Sequence, residues 1–495
     1  MSFQLPVLDW ELFLTTLPML LVALGSLDFL LLGVFFPRAP KPLMIALTVF
    51  LLALALVATA FVPIEDAKNL LSGGVLGERL AVFGQITLLG IALFTVLKFA
   101  GTWLSDRFFR GEAVSLFLMT LLGMMVLVAA DDLLTIFVGL ELSAIGLYAL
   151  IGYLYPTNKS VEAAVKYLVL GSFAAAFLLF GMALMYGVTG TLRISETVLR
   201  LRFYADHPWM TVGSLFFLTG MAFKMALVPF HLWAPDAYEG APTGITAFMV
   251  TSVKVMVLIV LLRLFADGMA PMFFVWMPAM VFLAIVSMIV GNVMALVQVD
   301  LKRMLAYSSI SHSGYMAVAL ATIGAVSGRL PVDAVLFYIV SYVIMSVGAF
   351  GVLMWLEREE LESLTMEHVA GLASRHPLAA FALSVFMLGF AGMPPMVGFM
   401  AKFFVFHAAL SGNLLWLVLV GALGSTISLG YYLRVIVRMY MTPANTQFKQ
   451  PVLRPSRLMA VVVGLSLVLT VLLGSVGTRA SMRMVHRAAS QVISG

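Results

Sequence analysis

Lys98, Lys166, Lys224, Lys254, Arg263 and Lys402 each stand inside a long apolar stretch of the chain, and Glu141 stands inside another. A charge at the centre of a bilayer costs roughly 2.5–3.5 kcal/mol on insertion scales, so such residues face a protein interior or a water path. Lys98 and Arg263 lie near the ends of their stretches, where a long basic side chain snorkels to the headgroups. Lys166 lies only a turn or so into its stretch. Lys254 and Glu141 sit about 20 Å and about 14 Å along their helices, too deep to reach an interface easily. Lys224 precedes Pro229 by five residues, and Lys402 follows the pair Pro394–Pro395 by seven. Proline removes a backbone hydrogen bond and interrupts a helix. At membrane depth an interruption is tolerated where the freed backbone meets protein or a hydrated cavity.

These residue types suit proton transfer. A desolvated lysine loses its proton more readily, and a carboxylate nearby holds the proton on. Moving the two apart releases it. Glu141 and Lys224 are accordingly expected to act as a pair. Lysine offers no oxygen ligands, so an alkali-ion cage is not indicated. The other reading is that each lysine is a fixed counter-ion for a nearby carboxylate. His231, just past Pro229, and His312, in Ser-Ser-Ile-Ser-His-Ser, extend the set, since histidine relays protons at neutral pH. A lone histidine is as readily a hydrogen-bonded packing residue. Tyr307, Tyr431 and Tyr432 are expected to pack. There is no cysteine, so iron–sulfur and thiolate metal sites are excluded within the chain. No HExxH, GxGxxG or GxxxxGK[ST] occurs, so neither a metal centre nor a nucleotide site is indicated.

The elements that must position these residues are membrane helices. Of 495 residues 62% are hydrophobic and 11% charged, with mean hydropathy +1.07, where a soluble domain is about a quarter charged. The net charge of +5 is small for this length and reads as loop charge near a membrane, with no nucleic-acid footprint. The fold class expected is all-α and polytopic. Fourteen stretches are long enough to span: 12–36, 42–63, 80–99, 114–130, 132–154, 162–187, 210–230, 241–266, 272–299, 303–324, 331–356, 377–408, 414–440 and 457–478. The third is the least secure, because Glu78 and Arg79 stand at its start. The first span is preceded by Asp9 and Glu11 without Lys or Arg, so no signal peptide is expected. Odd-numbered loops hold 14 Lys and Arg, among them Arg358, Lys449 and Arg454. Even loops and the C-terminal tail hold 9, among them Lys68 and Arg202. That bias puts odd loops and their positive charge inside. A Pro-broken span with a lysine beside it, occurring twice and in opposite order, fits paired repeats of opposite topology.

Four runs carry a family resemblance: Ala130–Leu142, Lys224–Thr243, Leu301–His312 and Ala391–Phe403. They resemble the antiporter-like subunits of respiratory complex I, over about 115–440. Pro235-Asp-Ala-Tyr-Glu-Gly-Ala-Pro-Thr243, followed by Ser252 and Lys254, and Gly430-Tyr-Tyr-Leu-Arg-Val435 are most similar to the N-type members. The largest member carries a lateral helix after its last span, which is not expected here.

The resemblance implies two inverted five-helix repeats with broken helices. They divide the chain into 1–113, 114–266, 267–440 and 441–495. It implies that Glu141, Lys224, Lys254 and Lys402 transfer protons, with Lys166 in a less defined role. It implies no cofactor in this chain, with FMN, iron–sulfur clusters and quinone in partner subunits. The expected neighbours are K- and M-type subunits in a bacterial cell inner membrane. A subunit of a multisubunit cation/proton antiporter and a non-transporting membrane scaffold are the alternatives.

Overall fold

Lipid offers no hydrogen bonds to the backbone, so a spanning segment must satisfy its own N–H and C=O groups, and a helix does so within one segment. The chain follows that rule in a computed structural model that describes residues 10–64, 78–154, 157–265, 269–326, 328–357, 364–443 and 456–489. Asp9, Lys68, Arg358, Lys449 and Arg454 lie outside the described residues, as does the side chain of Arg202. The N-terminal helices are α1 (Trp10–Phe35), α2 (Lys41–Thr59), α3 (Arg79–Phe99) and the single-turn α4 (Ser105–Phe108). Next come α5 (Gly111–Ala129), α6 (Leu133–Leu154), α7 (Asn158–Thr189), α8 (Ile194–Tyr204), α9 (Pro208–Lys224), α10 (Trp233–Gly240) and α11 (Thr243–Arg263). They are followed by α12 (Phe273–Val297), α13 (Leu301–Ala321), α14 (Leu330–Leu356), α15 (Leu372–Arg375), α16 (Pro377–Ala391), α17 (Val397–Ser411) and α18 (Leu415–Met441). α19 (Arg457–Leu472) and α20 (Thr478–Ala489) close the described chain.

Among the described residues ten helices are long and apolar enough to cross a membrane. The other four expected spans depart from a plain apolar helix, each for a visible reason. The seventh and twelfth are broken, into α9 and α10 and into α16 and α17. The tenth, α13, has 21 residues but carries four serines, two tyrosines and a histidine. It can afford that polarity because all of it but Arg303 is buried in protein. The fourteenth, α19, is a 16-residue helix. The third span forms despite its charged start, and there Glu78 pairs with Arg263.

The two halves of the bundle repeat each other. α5 packs along α6 as α12 packs along α13, and α7 packs on α9 as α14 packs on α16 and α17. The helix starts match too. Asp132 accepts the Thr135 amide at 2.8 Å, and Asp300 accepts the Arg303 amide at 2.8 Å. Each aspartate also makes an isolated antiparallel bridge to a later loop, Asp132 with Arg193 and Asp300 with Thr365. The first bridge joins loops after the fourth and sixth spans. The second joins loops after the ninth and eleventh. With alternate crossing these lie on opposite membrane faces, which is the inverted relation. Every residue of α11 is buried, so α11 and α13 form the protein-lined centre, while much of α7 faces outward.

Candidate functional site

The first break places Lys224 at the last residue of α9. The freed backbone there is satisfied from elsewhere. Trp233 Nε1 donates to the Phe223 carbonyl at 2.8 Å, and Ser313 Oγ donates to the Met225 carbonyl at 2.7 Å. Ser287 Oγ accepts the Val228 amide at 2.9 Å. Two of these three side chains come from the other repeat, so the break is held open by α12 and α13. The Lys224 amine is buried and makes no hydrogen bond. It lies over the Tyr148 and Tyr167 rings at 5.9 and 5.6 Å, a cation–π arrangement that holds an ammonium without neutralising it.

Glu141 does not form an ion pair with Lys224, so the expected pair is an indirect one. The two are within electrostatic reach of each other, and the same tyrosines feel the Glu141 charge. Glu141 Oε1, Lys224 Nζ and the Tyr148 and Tyr167 hydroxyls are all buried without a protein partner. Buried polar atoms are normally hydrogen-bonded. Four such atoms in one cluster therefore mark a place where water or a side-chain rotation completes the bonding.

From this cluster the polar groups run inward. Tyr167 stacks on Trp233 at 4.3 Å, and Trp233 meets Tyr238 edge-on at 5.7 Å. Ser309 on α13, its hydroxyl buried without a hydrogen-bond partner, lies near both the Tyr238 and Tyr342 side chains. Lys254, buried on α11, lies 5.7 Å from the centre of the Tyr342 ring. His312 packs on the same ring at 5.2 Å and lies within electrostatic reach of both Lys254 and Lys402. Its Nδ1 is 2.7 Å from the Tyr338 hydroxyl and its Nε2 is 3.2 Å from the Tyr432 hydroxyl. A neutral imidazole has one donor and one acceptor nitrogen. One hydroxyl therefore donates and the other accepts, an arrangement in which a proton can enter at one nitrogen and leave from the other. Tyr432 continues to Ser308 through a short hydrogen bond.

The second break holds Lys402. Its amine donates to the Ala391 carbonyl at 3.0 Å, the last residue of α16. It also lies 4.9 Å from the centre of the Tyr315 ring. Gly392 caps α16 at φ +83°, a left-handed conformation, and a Cβ there would stand 3.0 Å from the Lys402 stem. Glycine at this position thus serves both the turn and the lysine.

Two sequence candidates fall outside this chain of groups. Lys166 pairs with Glu162 at 2.7 Å and Asp236 at 2.9 Å and is exposed. It belongs to a charge network with Lys159, Glu239 and Arg303. His231 lies at the edge of the first break against Tyr307, its Nδ1 without a partner.

The reading of Lys98 and Arg263 as snorkelling residues is overturned. Arg263 is 5% exposed and bonds to Glu78. It also donates to the Ala130 and Val128 carbonyls at 2.6 and 2.9 Å, capping the end of α5. Beside it, burial raises the Asp131 carboxyl to about 6, against the opposing pull of Arg263. Lys98 is 0% exposed. Position along a helix tells how far an end lies, not which neighbouring helices cover it. Reasoning from sequence also missed Tyr148, Tyr167, Tyr338 and Tyr342 and left Tyr432 as packing. The available signal was spacing: Tyr338 and Tyr342 stand i,i+4 on one helix face.

Residues 130–428 match the family described as NADH:quinone oxidoreductase/Mrp antiporter, transmembrane. The chain is similar to NADH-quinone oxidoreductase subunit N of Trichlorobacter lovleyi, 39% identical over 443 residues, covering 87% of this chain and 88% of the relative. It is similar to the subunit N of Nitrosomonas europaea, 40% identical over 363 residues, covering 73% and 75%. Among solved structures it resembles a chain of respiratory complex I from Thermus thermophilus with bound aureothin. The TM-score is 0.78 at 32% identity, covering 94% of this chain and 98% of that one. A chain of the Mrp complex from Dietzia, 20% identical, shares the fold with TM-score 0.81 over 97% and 98%.

Proposed function

Since the chain belongs to the NADH:quinone oxidoreductase/Mrp antiporter family, as an antiporter-like membrane subunit of the N type, we propose that it moves protons across the membrane through its buried chain of charges. One observation carries this reading. Lys224, Lys254 and Lys402 are buried, and none has a carboxylate ion-pair partner among the described residues. A fixed counter-ion needs its partner at contact. An amine held by rings, and for Lys402 also by a backbone carbonyl, can exist charged or neutral, which a proton carrier requires.

In this reading Glu141 and Lys224 exchange charge through the Tyr148 and Tyr167 cluster. Lys254 is the central station, His312 relays between Lys254 and Lys402, and Lys402 hands the proton to the far face. His231 is a side relay at the first break, and Lys166 tunes the charge network at the odd-loop face. Residues 114–266 and 267–440 act as the two inverted units, with 1–113 and 441–495 packed beside them. Electron transfer from NADH to quinone, with FMN and iron–sulfur clusters, belongs to partner subunits. K- and M-type subunits are its neighbours in a bacterial inner membrane with odd loops inside. The antiporter alternative is less favoured, because the likeness to an Mrp chain at 20% identity concerns the fold, whereas N subunits match at about 40%. The test is Glu141→Gln in the assembled complex. NADH-driven proton pumping and quinone reduction should fall together. Normal pumping by fully assembled Glu141→Gln complex would contradict the proposal.

A further inference from the structure

Lys98 is fully buried, and nothing derived so far uses it. It sits in the last turn of α3, where a lysine would ordinarily cap its own helix end or reach the headgroups. It does neither. Its amine crosses to α14 and lies 3.5 Å from the Val347 carbonyl, a long and weak hydrogen bond. Its stem runs beside Gly351 on the same helix. No carboxylate pairs with it among the described residues, so an ammonium there has one poor acceptor and no counter-charge.

The site it reaches adjoins the central station. Val347 follows Ser346, whose hydroxyl is buried without a partner. Ser346 stands one turn beyond Tyr342 on the same face of α14, and the Tyr342 ring carries Lys254 at 5.7 Å. Five residues separate Tyr342 from Val347, about 7.5 Å along the axis. The Tyr342 and Ser346 side chains share that face of α14 and lie near enough to interact. The end of α3 and the end of α14 both approach the face onto which the odd-numbered loops open. Lys98 therefore stands between that face and Lys254.

We infer that Lys98 is a further proton-carrying residue, joining the odd-loop face to Lys254 by way of the Ser346 and Tyr342 hydroxyls. This rests on the proton-carrying reading of Lys254. In the step, a proton taken up at the odd-loop face converts the neutral Lys98 amine to the ammonium. The ammonium then gives a proton to the hydroxyl relay, and the relay gives one to the neutral Lys254 amine. Lys98 returns to its neutral form, Lys254 becomes charged, and the hydroxyls end unchanged.

The experiment compares Lys98→Met, Lys98→Arg and Lys254→Ala, each as the whole complex in membrane vesicles and normalised to assembled complex. Protons pumped per NADH oxidised and quinone-reductase turnover are measured. Methionine keeps the length of the stem without a titratable group. Arginine keeps the charge but does not release its proton in proteins. The inference predicts that both Lys98 variants lose pumping to an extent comparable with Lys254→Ala. Wild-type pumping by Lys98→Met would make Lys98 a packing residue and overturn it. Wild-type pumping by Lys98→Arg with loss in Lys98→Met would make it a fixed charge and overturn it equally. Should Lys98→Met not assemble, Lys98→Arg decides alone. Normal pumping by Lys254→Ala would instead remove the reading on which the inference rests.

Discussion

A buried amine must either keep its charge beside a partner or exist partly neutral, because an uncompensated charge in an apolar interior is costly. Arg263 shows the first solution, and the proposed function assigns the second to Lys224, Lys254 and Lys402. Arg263 cannot deprotonate in a protein, and it is bound to Glu78 and two backbone carbonyls. Arg263→Ala should therefore destabilise the subunit by about 3 kcal/mol, the cost of breaking a buried pair, with little direct effect on proton transfer. Thermal unfolding of the assembled complex measures this; an unchanged midpoint would show that Glu78 and the α5 end find other partners. The deep charges were legible in the sequence because lysine and glutamate are rare inside apolar stretches. The tyrosines were not, because an aromatic ring in a membrane helix is as often packing as chemistry. Only the structure distinguishes Tyr338 and Tyr432, bonded to His312, from Tyr431, bonded to Asn292.

At the scale of the element, the two broken helices do what continuous ones could not. Both breaks contain an X–Pro peptide in the cis form, Val228–Pro229 and Pro394–Pro395. Each brings a lysine to freed backbone, Lys224 at the end of α9 and Lys402 against the end of α16. Proline cannot donate to the preceding turn. Pro229→Ala, or Pro394→Ala with Pro395→Ala, should let the helix close and should slow proton transfer while insertion survives. A structure of either variant with its break unchanged would show that proline is not the cause. Ser313 supports the first break from α13 by donating to the Met225 carbonyl. Ser313→Ala should cost about 1 kcal/mol and loosen the backbone at 225–228. Amide hydrogen exchange there reads it out, and unaltered exchange would contradict it. The breaks were legible from the prolines. The serines that hold the first one open were not, because they lie in another repeat and only tertiary packing brings them close. The polar α13 was legible as a span, but its serines gave no sign that protein buries all of it but Arg303.

At the scale of the whole molecule, the repeats are tied at the odd-loop face. Arg303 at the start of α13 reaches Asp236 at 2.7 Å and Glu239 at 2.8 Å on α10. Lys302 donates to the Ala241 carbonyl at 3.0 Å and lies 3.6 Å from Glu357. Asp236 and Glu239 also hold Lys166 and Lys159, so no acid is orphaned when one arginine is lost. Arg303→Ala should lower stability by about 1 kcal/mol or less, and less again in high salt, which screens exposed pairs. A loss that does not shrink with salt would mean that Arg303 works through packing.

The proposed proton transfer centres on the interior between these ties, where Lys254 sits on a helix buried along its whole length. It is tested most directly by NADH-driven proton pumping in vesicles with Lys254→Ala and Lys254→Arg, normalised to assembled complex. If Lys254 works by losing and regaining a proton, arginine fails as badly as alanine, and both lose pumping while assembly persists. Restoration of pumping by Lys254→Arg, or full pumping by Lys254→Ala, would contradict the account.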